Sequence, residues 1–329
     1  MELEGDRLAP ATPRDAARWR DYVAMARPDH WVKHVFILPG VALAFVAQPA
    51  PAGVVALHFV VGLIAACMAS SANYVLNEWL DAEFDRHHPG KSARPAVVRE
   101  VSQAIVIGQY LALVVLSLLA ATTVSRLFVY TIAAFLISGL IYNVKPIRTK
   151  DRPFVDVASE AINNPIRLTL GWAMVSPNTL PPASILVAYW MGGAFLMAIK
   201  RLAEFHEAAL QGRLTELARY RKSFHGYSET RLLLSAFLYA QMSAFFLAVF
   251  LIKYRIEYLL SLPFFALLFA VYFRIGLKAN SAAQQPERLY KEAGLMVTAG
   301  VLFLLLVVLS WVDIPLLERL AEPHFLVIE

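Results

Sequence analysis

Nine apolar runs alternate with polar stretches along the chain, at residues 32–49, 54–80, 101–121, 127–145, 154–176, 183–205, 231–252, 258–277 and 293–312. Each is near the roughly 20 residues that a helix needs to cross a bilayer. The pattern therefore predicts an all-α polytopic membrane protein with nine transmembrane helices. The fifth run is the least apolar, because polar side chains fill its first half. Ahead of the first run, Trp19, Tyr22, Val23 and Met25 are spaced for a short interfacial helix that ends before Pro28. The connections at 48–52, 122–126 and 176–182 are tight. Those on the other side are longer, and 206–230, the longest, is expected to form a helical hairpin over that face.

Composition agrees with a membrane protein. The chain is 58% hydrophobic and 17% charged, against about 45–50% and about 25% in soluble domains. No shift in composition marks a second soluble domain. Residues 27–312 are expected to form one domain, capped by loops near 81–100, 146–153 and 206–230. It is flanked by an N-terminal segment, 1–26, and a tail, 313–329. Of the 30 Lys and Arg residues, 25 fall on one set of flanks and four on the other, with Arg167 left inside a run. By the positive-inside rule the N-terminus is cytoplasmic, the C-terminus lies outside, and the cell (inner or plasma) membrane is the expected location. The same rule accounts for the basic loops without nucleic acid. A homo-oligomer is left open. The one cysteine, Cys67, sits in an apolar run, so neither a disulfide framework nor a thiolate metal site is expected.

Against this background residues 73–95 stand out. Asn73, Asn77, Asp81 and Asp85 recur every four residues, which on a helix aligns them in one stripe. Carboxylates at the mouth of a membrane helix are costly and mark a functional site. Two such groups suit Mg²⁺, which keeps waters and takes oxygens from substrate phosphates. Lys91 and Arg94 follow as cations for the same anion, so the stretch is expected to form a Mg²⁺–diphosphate clamp.

The fifth run repeats the message. Asp156, Glu160, Asn163, Asn164 and Arg167 follow an i, i+4, i+7, i+8, i+11 pattern, with Val157, Ala158, Ala161, Ile162 and Leu168 on the opposite face. Pro153 suits a helix start, with Asp151 as N-cap or as a solvated turn acid. A third cluster, Lys200, Arg201 and Glu204, ends the sixth run. Pairing of Lys200 with Glu204 would leave the planar fork of Arg201 free for phosphate. Tyr142 and Lys145, before the fifth run, either join the site or only snorkel to the interface. His87 and His88 point apart on a helix and lack a third ligand, so no zinc site is expected. Nothing resembles a nucleophilic Ser or Cys with a base.

These residues resemble the UbiA superfamily of intramembrane prenyltransferases. Its N-D-x-x-D-x-x-x-D motif is matched by residues 77–85, with Glu78 where the family usually has Asp. Its D-x-x-x-D motif is matched by residues 156–160, with Glu160 replacing the second Asp. The resemblance implies nine helices around a central cavity, which the placement of the acids opens to the cytoplasm. It implies Asp81, Asp85, Asp156 and Glu160 as catalytic carboxylates, holding Mg²⁺ together with Asn77. Residues 27–33, 88–95 and 200–204 resemble the phosphoribosyltransferase branch more than the quinone branch. That branch uses phosphoribosyl diphosphate (PRPP) as donor and a polyprenyl phosphate as acceptor. A donor with three phosphates calls for many cations, and Lys33, Lys91, Arg94, Lys200 and Arg201 offer them, with Asn73, Tyr142, Lys145, Asn163, Asn164, Arg167 and Glu204 lining the rest. The alternatives are prenyl transfer from a prenyl diphosphate to an aromatic quinone or haem precursor, and a carrier for anionic phosphates. Asn163-Asn164-Pro165 departs from the pattern and should kink the helix.

Overall fold

The apolar runs become helices whose ends are set by proline, serine caps and the change to polar sequence. The computed structural model describes residues 14–48, 50–88, 90–279, 281–284 and 286–321. In order they are α1 (Trp19–Met25), α2 (Leu38–Ala47), α3 (Ala52–Asp85), α4 (Pro95–Val98), α5 (Gln103–Thr122), α6 (Arg126–Asn143), α7 (Val155–Ala161) and α8 (Asn163–Val175). Then come α9 (Ala183–Leu210), α10 (Leu214–Tyr220), α11 (Glu229–Tyr254), α12 (Leu262–Gly276), α13 (Ala293–Leu309) and α14 (Pro315–Ala321). Ser125 caps α6 by accepting from the Phe128 N–H, and Ser228 caps α11 by accepting from the Arg231 N–H. Among the described residues there is no strand, only an isolated bridge between Ala16 and Glu100.

Among the described residues, seven helical stretches are long and apolar enough to cross a membrane, the first of them Trp19–Ala47 and the last Ile256–Gly276. The other two apolar runs are helical but differ from expectation. α13 has only 17 residues, and the fifth run is broken into α7 and α8. The break falls at Ile162, where Pro165 has no N–H to offer the Ala161 carbonyl. The first run also departs from a plain α-helix. It begins as a 3-10 stretch, Pro28–Ile37, and turns α-helical at Leu38, with Pro39 in the first turn of α2. The short helix expected before Pro28 is present as α1, with Tyr22 and Met25 buried against the protein and Trp19 and Val23 exposed.

The segment 206–230 is not a hairpin of its own. α9 continues through it to Leu210, and only the short α10 and a 3-10 turn, Lys222–Gly226, follow before α11. Nor does Asp151 cap a helix: it accepts from Arg148 Nε at 3.0 Å, and α7 begins two residues after Pro153.

Large apolar side chains cover the outside of the bundle, among them Leu57, Val60, Leu111, Leu119, Phe237, Phe245, Val297 and Phe303. A soluble monomer exposes no such continuous apolar surface. This is an integral membrane protein. One buried cluster joins α3, α6 and α8, and another joins α7, α9, α11 and α12. The broken helix thus lies between the two halves.

Candidate active site

The acids of the first stripe reach their position because α3 is longer than a bilayer needs. At 1.5 Å per residue the 34 residues of α3 extend about 51 Å, against a hydrocarbon core of about 30 Å. The last turns of α3 therefore project past the apolar part and carry the stripe with them. Asn73, deepest in the stripe, is a clasp. Its amide donates to the Phe135 carbonyl at 3.1 Å and lies flat on Gly139, where any side chain would collide with it. Asn77 donates to Asn143 Oδ1 at 2.5 Å and to Asp81 Oδ2 at 3.1 Å. Asp81 receives Arg148 at 2.8 Å and Lys150 at 2.6 Å. Asp85 is paired with Arg94 and has Lys91 at 3.8 Å. Four cations thus meet two carboxylates.

Glu78, within the first motif, is turned away from this group. It is buried, accepts from Arg27 at 3.1 Å, and receives the Ala96 N–H at 3.4 Å. It ties the N-terminal segment and α4 to α3.

The second wall is organised by Arg201, which the sequence left free for phosphate. The structure corrects this. Arg201 is completely buried and pairs with Asp156 at 3.1 Å, Glu160 at 3.1 Å and Glu204 at 3.2 Å. Asp156 is equally enclosed: Tyr227 and Ser223 donate to it as well, and Arg221 stands 3.8 Å away. Glu160 also accepts from Tyr142 at 2.8 Å, but its side chain stays one-third exposed. Here three carboxylates face two cations, the fully buried Arg201 and the more distant Arg221, the reverse of the imbalance around the acids of α3.

Loops close the walls on each other. The His88 and Tyr220 rings pack tilted against each other with centroids 4.4 Å apart, while Arg148 and Lys222 both lie over the Phe84 ring. Lys150 reaches over Tyr142 at 5.8 Å. Burial lowers Lys91 to about 7 and Lys150 to about 8, against the pull of Asp85 and Asp81. Among the described residues three that are not glycine have positive φ, Arg27 at 50°, Arg148 at 31° and Phe154 at 64°. Two of them serve this site, Arg148 by holding Asp81 and Phe154 by starting the helix of Asp156, while Arg27 holds Glu78 beside it. Such conformations cost about 1–3 kcal/mol each and persist where surrounding contacts hold them.

Other expected site residues are placed unevenly. Lys145 is exposed and makes no ion pair within 4 Å with the described residues, so it stands outside the cluster. Lys200 makes none either, and its expected bond to Glu204 is taken over by Arg201. Lys33 contacts His30 at 2.7 Å and lies over Tyr74. Asn163 accepts from Ser138 at 2.9 Å, and Asn164 packs on Gly193 of α9, so both serve helix contacts. Sequence reasoning passed over Arg27, Asn143, Arg148, Lys150, Arg221, Ser223 and Tyr227. The basic character of 145–152 and 219–222 was the available signal, though topology alone explained it.

The model of the UbiA prenyltransferase family matches residues 35–291. The chain is 28% identical over 217 residues to the decaprenyl-phosphate phosphoribosyltransferase of Corynebacterium glutamicum, covering 63% of this chain and 59% of that protein. It is 28% identical over 195 residues to the nodulation protein NoeC of Azorhizobium caulinodans, covering 58% and 59%. The chain thus spans less than two thirds of these curated relatives. A UbiA homologue from Archaeoglobus fulgidus, solved bound to GPP and Mg²⁺, superposes with a TM-score of 0.65 over 88% of this chain and 99% of its own, at 22% identity. At that identity the likeness is one of fold.

Proposed function

This chain belongs to the UbiA prenyltransferase family, and from that premise we propose that it moves the 5-phosphoribosyl group of PRPP onto a polyprenyl phosphate, releasing diphosphate. The observation that carries the reading is the surplus of cations around the acids of α3. Lys91, Arg94, Arg148 and Lys150 surround only Asp81 and Asp85. A donor bearing a diphosphate and a further phosphate matches that surplus better than a prenyl diphosphate does. The relative in Corynebacterium, named for phosphoribosyl transfer to decaprenyl phosphate, supports the same transferred group and acceptor.

The donor set fits Mg²⁺. Asp81, Asp85, the Asn77 amide oxygen and the exposed oxygen of Glu160 are hard ligands, and this ion needs only one or two carboxylates beside substrate phosphates and water. Among the described residues no group of three or more His, Cys, Asp or Glu forms a dedicated metal cage. When bound, the ion neutralises charge on the leaving diphosphate. Asp156 acts one layer behind, fixing the Arg201 that orients Glu160.

In the reaction the bond from ribose C1 to the diphosphate oxygen breaks, and its electron pair leaves with the diphosphate. An oxygen of the lipid phosphate forms the new bond to C1. That oxygen is already anionic at neutral pH, so no general base is required. Lys91, Arg94, Arg148 and Lys150 stabilise the charge that grows on the leaving group, an effect that is strong in a dry site.

The test is transfer of radiolabel from PRPP to decaprenyl phosphate by the purified protein in detergent, with Mg²⁺ and then with EDTA. A labelled lipid formed only with Mg²⁺ is expected. Inert PRPP, with geranyl diphosphate consumed alongside an aromatic acid, would refute the donor assignment.

A further inference from the structure

An arginine inside the helical bundle makes no ion pair with any of the described residues. Arg167 lies on α8, seven residues beyond Glu160, which is about 10 Å of helix rise. Its guanidinium sits 5.4 Å from the Phe135 ring centroid, and its buried Nε has no hydrogen-bond partner. Among the described residues none forms an ion pair or hydrogen bond with it. Its electrostatic neighbours are Tyr74, Tyr189 and Glu160, and it bears in turn on His34. Glu160 is already spent on Arg201 and Tyr142. His34 donates or accepts at Ser70 through Nε2, while its buried Nδ1 also lacks a partner. Arginine stays charged in any protein environment, and an ionised group at membrane depth is retained only where it meets an opposite charge or a polar path.

The chemistry of the reaction supplies that charge. The donor is water-soluble and meets the cations at the end of α3. The second anion is the phosphate of the acceptor, whose apolar tail keeps it in the bilayer. We propose that Arg167, with Tyr74, Tyr189 and His34 around it, binds the phosphate of the lipid acceptor and sets it within reach of the donor carbon. The identity of the acceptor rests on the reaction proposed above, whereas the presence of an anion site here rests on Arg167 itself.

Equilibrium binding of radiolabelled decaprenyl phosphate to the full-length protein in detergent tests this without turnover. Arg167→Gln should weaken binding about tenfold to a hundredfold, the range of a lost charge-assisted contact, and Arg167→Lys should restore part of it. In the transfer assay the KM for the lipid should rise while that for PRPP stays within about twofold. Without substrate, Arg167→Gln should melt no lower than wild type, since it removes an unmatched charge. Binding of the lipid unchanged by Arg167→Gln would overturn the proposal. So would a rise confined to the PRPP KM, which assigns the arginine to the donor, or a lower melting point with both KM values raised, which marks a structural arginine. A wild type that binds the lipid through Arg167 yet ignores PRPP would leave the anion site standing and refute only the reaction.

Discussion

Arg201→Met removes one cation from a closed group of three carboxylates, and its consequence is calculable. Arg201 is fully buried, with nitrogens 3.1, 3.1 and 3.2 Å from Asp156, Glu160 and Glu204. At an effective dielectric of 20 and charge centres about 4 Å apart, each attraction amounts to about 4 kcal/mol before desolvation is subtracted. Methionine fills similar volume, so the dominant effect is the stranding of buried negative charge, which costs about 3–5 kcal/mol. The burden falls unevenly. Asp156 keeps Tyr227, Ser223 and the more distant Arg221, and Glu160 keeps Tyr142. Glu204 loses its ion pair with Arg201. Glu204→Gln should therefore recover at least about 1 kcal/mol when placed on Arg201→Met, although alone it should destabilise. Reversible unfolding of the four proteins in detergent gives the cycle, with a coupling of about 1–3 kcal/mol expected for neighbours in one network. An Arg201→Met protein within 1 kcal/mol of wild type, or losses that simply add, would refute the buried-anchor reasoning.

Tyr227→Phe should cost about 1–3 kcal/mol in the same unfolding measurement, because one hydroxyl satisfies both Asp156 and the Phe154 N–H at the strained start of α7. No change would mean that water replaces it freely. Glu78→Gln should lower stability through Arg27 but leave PRPP turnover, whereas Asp85→Asn should abolish turnover in protein that still inserts. Equal loss of turnover in both would place Glu78 inside the clamp.

The helical character, the apolar runs and the two acidic stripes were legible because each rests on periodicity along one segment. Asn73, Asn77, Asp81 and Asp85 share a face of α3 as their spacing requires, and the proline after Asn164 does interrupt the fifth run. What could not be read was pairing between segments. Lys200 and Glu204 are four apart on α9 and suggested a local bond. Glu204 instead joins Arg201, which turns inward because Asp156 and Glu160 of another helix are there. Tyr142 and Lys145 looked equivalent by sequence. Tyr142 faces Glu160, whereas Lys145 lies past the end of α6 and points outward. Arg148 and Lys150 were counted only as basic flanks, since nothing local reveals a turn with φ of 31° that swings both onto Asp81.

The opposite imbalances of the two walls explain why neither could bind the reacting groups alone. The α3 wall carries more cations than acids, so it attracts phosphate but holds a metal weakly while Lys150 and Arg148 occupy Asp81. The wall around Arg201 carries more acids than cations, so it favours a divalent ion but repels phosphate. A diphosphate donor would match the cations beside Asp81 and Asp85, and Asp81, Asp85 and Glu160 are the carboxylates that would hold Mg²⁺ with it, supplying charge neutralisation of the leaving group. Donor and metal should therefore bind with positive coupling, each raising the affinity of the other by the same factor.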